Sequence, residues 1–183
     1  MPRAEATLLT LTDYAALSEP EHEYVTELVR GVLVREPRPR NVHGEVQVEV
    51  AFRLKAWAIP RRAVVTVESG YILSERPATV RGPDVAVTLE RRSTEGVPGG
   101  WVRGAPDLAV EVLSPSDSAS AMHQRTLEYF DAGARLVWIV DPHSRTVTVL
   151  RLDGTATVVR DVGTLDGEDV LEGFSLVVAE LFG

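Results

Sequence analysis

The 183-residue chain contains no cysteine. That absence excludes disulfide staples, thiolate zinc sites and cysteine nucleophiles, and it leaves any metal to carboxylates, imidazoles or carbonyls. Lysine is nearly as scarce, with Lys55 the only one among 19 basic residues, so a mechanism that needs a catalytic lysine has one candidate. No apolar run reaches the roughly 18 residues of a membrane span. The N-terminus MPRAEATLLTLTDY lacks the charged-then-apolar layout of a signal peptide. A soluble, cytoplasmic protein with no membrane partner is expected. Positive charge is also in deficit: the formal net charge is −8 and the pI near 5.0, which as a sum weighs against a nucleic-acid binder.

The distribution of charge qualifies that sum. Residues 111–183 carry 5 arginines against 12 acids, whereas residues 30–62 carry 8 basic groups against 3 acids. The second stretch includes Arg38 and Arg40 of a Pro-Arg-Pro-Arg connector and is a candidate phosphate-facing belt. Its alternative is a solvated helix face.

A hydrophobic content of 44% fits one compact domain over residues 1–183. Thr12–Leu17 reads as a short helix opened by a Thr or Asp cap and ending before Glu19-Pro20, a lid on the core. Tyr24–Arg30 and Val32–Arg35 alternate apolar and polar residues around Arg30-Gly31, a hairpin signal. After the extended connector Pro37–Arg40, Asn41 is placed to cap a helix from Val42 to about Ala58, stopped by Pro60. Val46, Val50, Leu54 and Trp57, with Phe52 close by, mark its core face. Strand-like runs at Ala63–Glu68, Tyr71–Leu73, Asp84–Glu90 and Asp107–Leu113 predict a central sheet. A helix follows Ser114–Ala121 and ends near Ala132-Gly133. Strands at Arg135–Val140, Arg145–Leu150 and Ala156–Arg160 come next, and the tail over Val170–Phe182 adds an apolar segment and a short helix. The order predicts an α/β or α+β domain, with helices packed on a mixed sheet.

Two segments are alike: Gly82-Pro83-Asp84-Val85-Ala86-Val87 and Ala105-Pro106-Asp107-Leu108-Ala109-Val110-Glu111. Each sets Pro-Asp at the mouth of an apolar strand. Strand alternation puts Asp107, Ala109, Glu111 and Leu113 on one face. Glu111 therefore sits within an apolar strand, where a carboxylate needs a compensating cation or donor. Carboxylates from neighbouring strands repel unless a divalent cation lies between them, as in magnesium sites. For Asp107 simple turn chemistry is the favoured reading. For Glu111 a salt bridge to a core-edge arginine competes with a metal role, and Asp84 shifts the balance toward a site.

The runs PDVAV and PDLAVEVLSPS, a helix with Tyr129, Ala132 and Gly133, and VWIVDP together resemble the Uma-type endonuclease family. That family belongs to the restriction-endonuclease-like PD-(D/E)XK superfamily. Glu27-Leu28-Val29-Arg30-Gly31, His43 and Leu171–Leu176 extend the resemblance over most of the chain. It implies a restriction-endonuclease-like mixed central sheet flanked by helices and a metal-dependent endonuclease hydrolysing phosphodiester bonds in DNA. Asp84 and Glu111 would bind magnesium, or manganese as a substitute, with the Val112 carbonyl completing the coordination, and Glu27 would be a further acid. The metal activates a water and stabilises charge on the phosphorane. The resemblance also implies a homodimer.

One departure stands out. The lysine position of the superfamily motif, two residues after Glu111, is Leu113. Family members move the lysine to the next helix, four residues before the tyrosine, which here is Arg125. Arginine keeps the charge but does not release a proton at neutral pH. The second reading is therefore a catalytically inactive nuclease-like domain that binds nucleic acid or a protein partner, and the third is an oligomeric scaffold whose acids form ordinary salt bridges. His43 is either a site residue or a helix-start group. His22, His123 and His143 have no metal-cluster spacing, and Ser114, Ser116, Ser118 and Ser120 read as loop and cap residues because no GxSxG element frames them. Trp57, Trp101 and Trp138 read as packing, with Trp101 in a glycine-rich loop the one that could stack on a base.

Overall fold

The computed structural model describes residues 8–17 and 24–183. Glu19, Pro20 and His22 lie outside the described residues. The first short helix, α1 (Leu11–Ala15), starts earlier than the sequence suggested. Thr10 is its cap, and Asp13 reaches back to the Thr10 N–H to close a capping box. Leu9, Leu11 and Tyr14 pack against a small cluster around Leu28, Ile72 and Val80, so the segment does cover core.

The hairpin forms as read. Strands β1 (Tyr24–Val29) and β2 (Val32–Pro37) pair antiparallel with Val29 opposite Val32. Arg30 and Gly31 both take positive φ, 51° and 79°, as a tight two-residue hairpin turn demands. A Cβ on Gly31 would also come within 2.7 Å of the Leu8 Cβ.

Helix α2 (Asn41–Ala58) follows. Asn41 is its first helical residue rather than its cap: the cap position falls to Arg40, without a side-chain hydrogen bond. Val46, Val50 and Leu54 are buried and Trp57 is partly so. Phe52 is 63% exposed, because at 100° per residue it lies about 200° round the helix from Val50. Pro60 does not end the helix abruptly. It sits in a 3₁₀ turn, Ile59–Arg61, and the left-handed Arg62 breaks the path.

The expected single central sheet is divided. A six-stranded mixed sheet holds β3 (Val64–Val67), β6 (Val85–Thr88), β8 (Leu108–Val112), β9 (Leu136–Asp141), β10 (Thr146–Arg151) and β11 (Ala156–Arg160) in the order β11-β10-β9-β8-β6-β3. Between β3 and β6 the chain leaves this sheet for β4 (Tyr71–Glu75) and β5 (Ala78–Arg81), which join the hairpin and β7 (Val102–Arg103) as a second sheet, β2-β1-β5-β4-β7. The Tyr71–Leu73 run thus belongs to the second sheet. Strand β5 escaped the sequence reading because four residues ending in arginine look polar. All four are buried, and Arg81 can be so only because carboxylates meet it.

Strand alternation sorts β8 between two cores. Leu108, Val110 and Val112 face α2 and the main apolar cluster, while Ala109 faces the cluster of Tyr129, Val137 and Ile139 under α3 (Ala119–Asp131). Ser118 caps α3 through the Ala121 N–H. A small hairpin of β12 (Thr164–Asp166) and β13 (Ser175–Val177) and a 3₁₀ turn over Val178–Leu181 close the core. The result is a mixed α+β fold with helices against the large sheet. Among the described residues no helix is long and apolar enough to cross a membrane.

Candidate active site

Strand direction builds the site. Strands β6 and β8 run antiparallel with Val85 opposite Val110, so Asp84, one residue before β6, stands level with Glu111. The link is direct: the Val112 N–H donates to Asp84 Oδ2 at 2.7 Å. The same antiparallel arrangement sends the other Pro-Asp away. Asp107 precedes β8 at the far end of the sheet, where its Oδ2 accepts from the Leu89 N–H at 2.9 Å and faces Arg92 at 3.8 Å. Asp107 is a turn residue outside the cleft, the reading favoured for it from sequence alone.

Glu111 is 2% exposed and both of its oxygens are held. Tyr129 Oη donates to Oε1 at 2.6 Å, and Arg125 Nη1 donates to Oε2 at 2.9 Å. These two residues are four apart on α3, so one helix face delivers both donors. Burial pushes the Glu111 carboxyl above the usual carboxylate range. Arg125 pulls it back, while the Asp84 and Glu27 charges add to the rise. Burial and Glu111 keep the Tyr129 phenol protonated as a donor.

Arg125 is a hub. Its Nη2 also meets Glu27 at 3.2 Å and pairs with Glu36 of β2. Glu27 is buried in turn, accepting from Arg81 Nη1 at 2.7 Å and from the Gly82 N–H at 2.9 Å. Arg81 continues the chain to Glu128 at 2.7 Å. The salt bridge weighed for Glu111 is therefore real, and it is part of a network that spans both sheets. Glu36, Arg81 and Glu128 were not found from the sequence, since their partners lie 47 to 89 positions away.

On the opposite wall, His43 Nε2 lies 3.2 Å from Asp84 Oδ2. Burial alone would lower its pKa, but the hydrogen bond and charge of Asp84 outweigh burial and raise it. One turn on, Gln47 Nε2 donates to the Asp84 carbonyl at 3.0 Å and to Glu68 Oε1 at 3.2 Å. Gln47 and Glu68 were also missed, although Glu68 closes the strand-like run that the sequence marked.

Of these groups Asp84, Glu111, Arg125, Glu27, Glu36, His43 and Glu68 line a cleft of about 190 Å³ together with Arg38, Arg40, Ser114, Ser116 and Asp117. The connector arginines thus reach the site. The rest of the basic belt does not: Arg53 pairs with Glu49 and Glu180, Arg61 stacks on Trp57, and Lys55 is exposed. Trp101 is spoken for as well, stacked on Tyr14 at a centroid distance of 4.9 Å and wedged against Gly70 and Gly99.

The cleft fits a hard divalent cation in its chemistry. Its ionisable lining is six carboxylates against three guanidiniums and one imidazole, its donors are oxygens, and among the described residues Asp84 Oδ1 has no hydrogen-bond partner. No three His, Asp or Glu side chains among the described residues converge into a closed cage.

None of the curated proteins compared with the chain matches it. Among solved structures it is similar to one described as a putative nuclease belonging to DUF820 from Anabaena variabilis ATCC 29413. The two share 24% identity over 95% of this chain and 97% of that one, with a TM-score of 0.80, which establishes the common fold. A family model described as "Putative restriction endonuclease" matches residues 11–179. With nearly its whole length matched, the chain belongs to the Uma2 family.

Proposed function

We propose that the protein is a divalent-metal-dependent endonuclease that hydrolyses phosphodiester bonds in DNA. The observation that carries this reading is the level placement of Asp84 and Glu111 on adjacent antiparallel strands at the floor of an acid-rich cleft. Asp84, Glu111 and the Val112 carbonyl would hold magnesium or manganese. When bound, the ion would supply a water nucleophile at neutral pH and charge stabilisation on the phosphoryl oxygens. The chain's own residues do the positioning. His43 and the Val112 N–H fix the Asp84 carboxylate, while Tyr129 and Arg125 fix that of Glu111. Arg38 and Arg40 on the cleft wall supply positive charge for the flanking phosphates. Arg125 spends both terminal nitrogens on carboxylates, so it acts as a holder of Glu111 rather than as a base, and Glu27 anchors Arg125.

Nicking of supercoiled plasmid in manganese tests this. Wild type nicks, while D84N and E111A fall by at least about a hundredfold, as expected when an electrostatic element of the reaction is lost. Unchanged nicking in E111A rejects the assignment. The occupied Arg125 favours a second reading, a nuclease-like domain that binds DNA without cutting it. Retained gel-shift binding, with no metal-dependent cleavage by wild type and cleavage gained in R125K, selects that reading. A homodimer is part of the proposal. The exposed Val48 and Phe52 on the outer face of α2, with the exposed Ile59 just past its end, support it, and light scattering of the purified protein tests it.

A further inference from the structure

Strand β3 pairs antiparallel with β6, with Val67 opposite Val85. One step beyond that pair, Glu68 stands level with Asp84, as Asp84 stands level with Glu111 across β6 and β8. Three carboxylates therefore stand in one row across three adjacent strands, Glu68 just after β3, Asp84 just before β6 and Glu111 next to the end of β8, with neighbouring strands about 4.8 Å apart. Glu68 is held in that row at a cost. Its φ is 49°, a left-handed conformation that a side chain disfavours. Three contacts impose it: its N–H donates to the Pro83 carbonyl at 3.1 Å and to the Asp84 carbonyl at 3.4 Å, and Gln47 grips Oε1 at 3.2 Å while also holding the Asp84 carbonyl. The residue is exposed at the cleft's edge, and among the described residues its Oε2 makes no protein hydrogen bond. A turn selected for stability alone would carry glycine or asparagine here.

Resting on the reading of the cleft as a metal-dependent nuclease site, we propose that Glu68 is a further acidic contact of the divalent cation, reaching it through water on the side opposite Glu111. Gln47 serves as its positioning residue. An outer contact of this kind would orient the waters of an ion held by Asp84 and Glu111.

Two substitutions separate this role from a structural one. Glu68→Gly relieves the left-handed strain, and Glu68→Gln keeps both the backbone and an acceptor for Gln47 while removing the charge. Manganese binding by the full chain, followed by calorimetry, is expected to weaken about tenfold or more in both variants, in the range typical of outer-contact loss. Over the same comparison Glu68→Gly gains about 2–4 °C in Tm and Glu68→Gln holds its Tm. A purely structural Glu68 predicts the opposite, with binding unchanged in Glu68→Gln. Asp84→Asn is the control. If it abolishes manganese binding while both Glu68 variants bind as wild type, this inference falls and the cleft reading stands. If Asp84→Asn also binds as wild type, the cleft reading itself falls.

Discussion

Replacing Arg125 with methionine keeps most of the side-chain volume and removes the guanidinium that three carboxylates share. The cost follows from what each carboxylate has left. Glu36 is 39% exposed at its side chain, and water screens its loss to within about 1 kcal/mol. Glu27 keeps Arg81 and the Gly82 N–H. Glu111 keeps only the Tyr129 hydroxyl and has almost no access to water. The penalty is therefore that of stranding one buried charge, about 3–5 kcal/mol. Urea denaturation followed by circular dichroism at pH 9.5, above the raised Glu111 value of about 8, measures it.

The penalty is expected to depend on pH in a definite sense. A carboxyl whose folded pKa lies above its unfolded value binds more protons folded than unfolded in the window between the two. Stability then rises as pH falls through that window. Glu111 is already raised to about 8 beside Arg125 and rises further without it, so the deficit of R125M is largest well above pH 8 and narrows as pH falls toward 8. Adding Glu111→Gln removes the stranded charge, and the double variant recovers most of the loss at pH 9.5. A deficit below about 1 kcal/mol, or one that does not narrow on acidification, refutes the reasoning.

Tyr129→Phe deletes the sole donor to Glu111 Oε1 among the described residues and is expected to cost about 1.5–3 kcal/mol in the same denaturation assay. Gly70→Ala sets a Cβ at 2.3 Å from the Trp101 ring. The indole cannot stay stacked on Tyr14, so a loss of about 1–3 kcal/mol and a shifted tryptophan emission are expected. The Asp141 carboxyl is held below its ordinary 3.8: burial pushes it up, but the Ser144 hydroxyl and the His143 and Ser144 N–H groups outweigh that. Its contribution is present above the unfolded value and lost as pH falls through the folded one, so D141N lowers Tm at neutral pH and matches wild type in strong acid.

The parts of this molecule legible in its sequence are those written locally. Period-2 alternation placed Glu111 on an otherwise apolar strand, and Pro-Asp punctuation marked the mouths of β6 and β8. What stayed hidden depends on pairing. The two Pro-Asp segments look alike as text, and only the antiparallel register sends Asp84 into the cleft and Asp107 to the far end. Glu68 reads as the tail of a strand until β3 is laid beside β6. Arg81 reads as a surface charge until Glu27, 54 residues away, comes to meet it. Phe52, in contrast, was a matter of helical angle and could have been set outside from the sequence alone.

The excursion of β4 and β5 separates two kinds of change that most folds mix. Strands β3 and β6 are neighbours in the large sheet, yet the chain between them runs out to the second sheet and back. The row of residues 68, 84 and 111 is set by pairing within the large sheet, so the hairpin between residues 72 and 80 is expected to tolerate exchange without moving it, provided that Tyr71 keeps its hydroxyl contacts to Thr66 and Thr88 and that Arg81 and Gly82 still meet Glu27 at the return point. Chimeras that trade this hairpin between relatives would alter the second sheet while leaving that row of carboxylates in place, which makes the hairpin a natural seam of the fold.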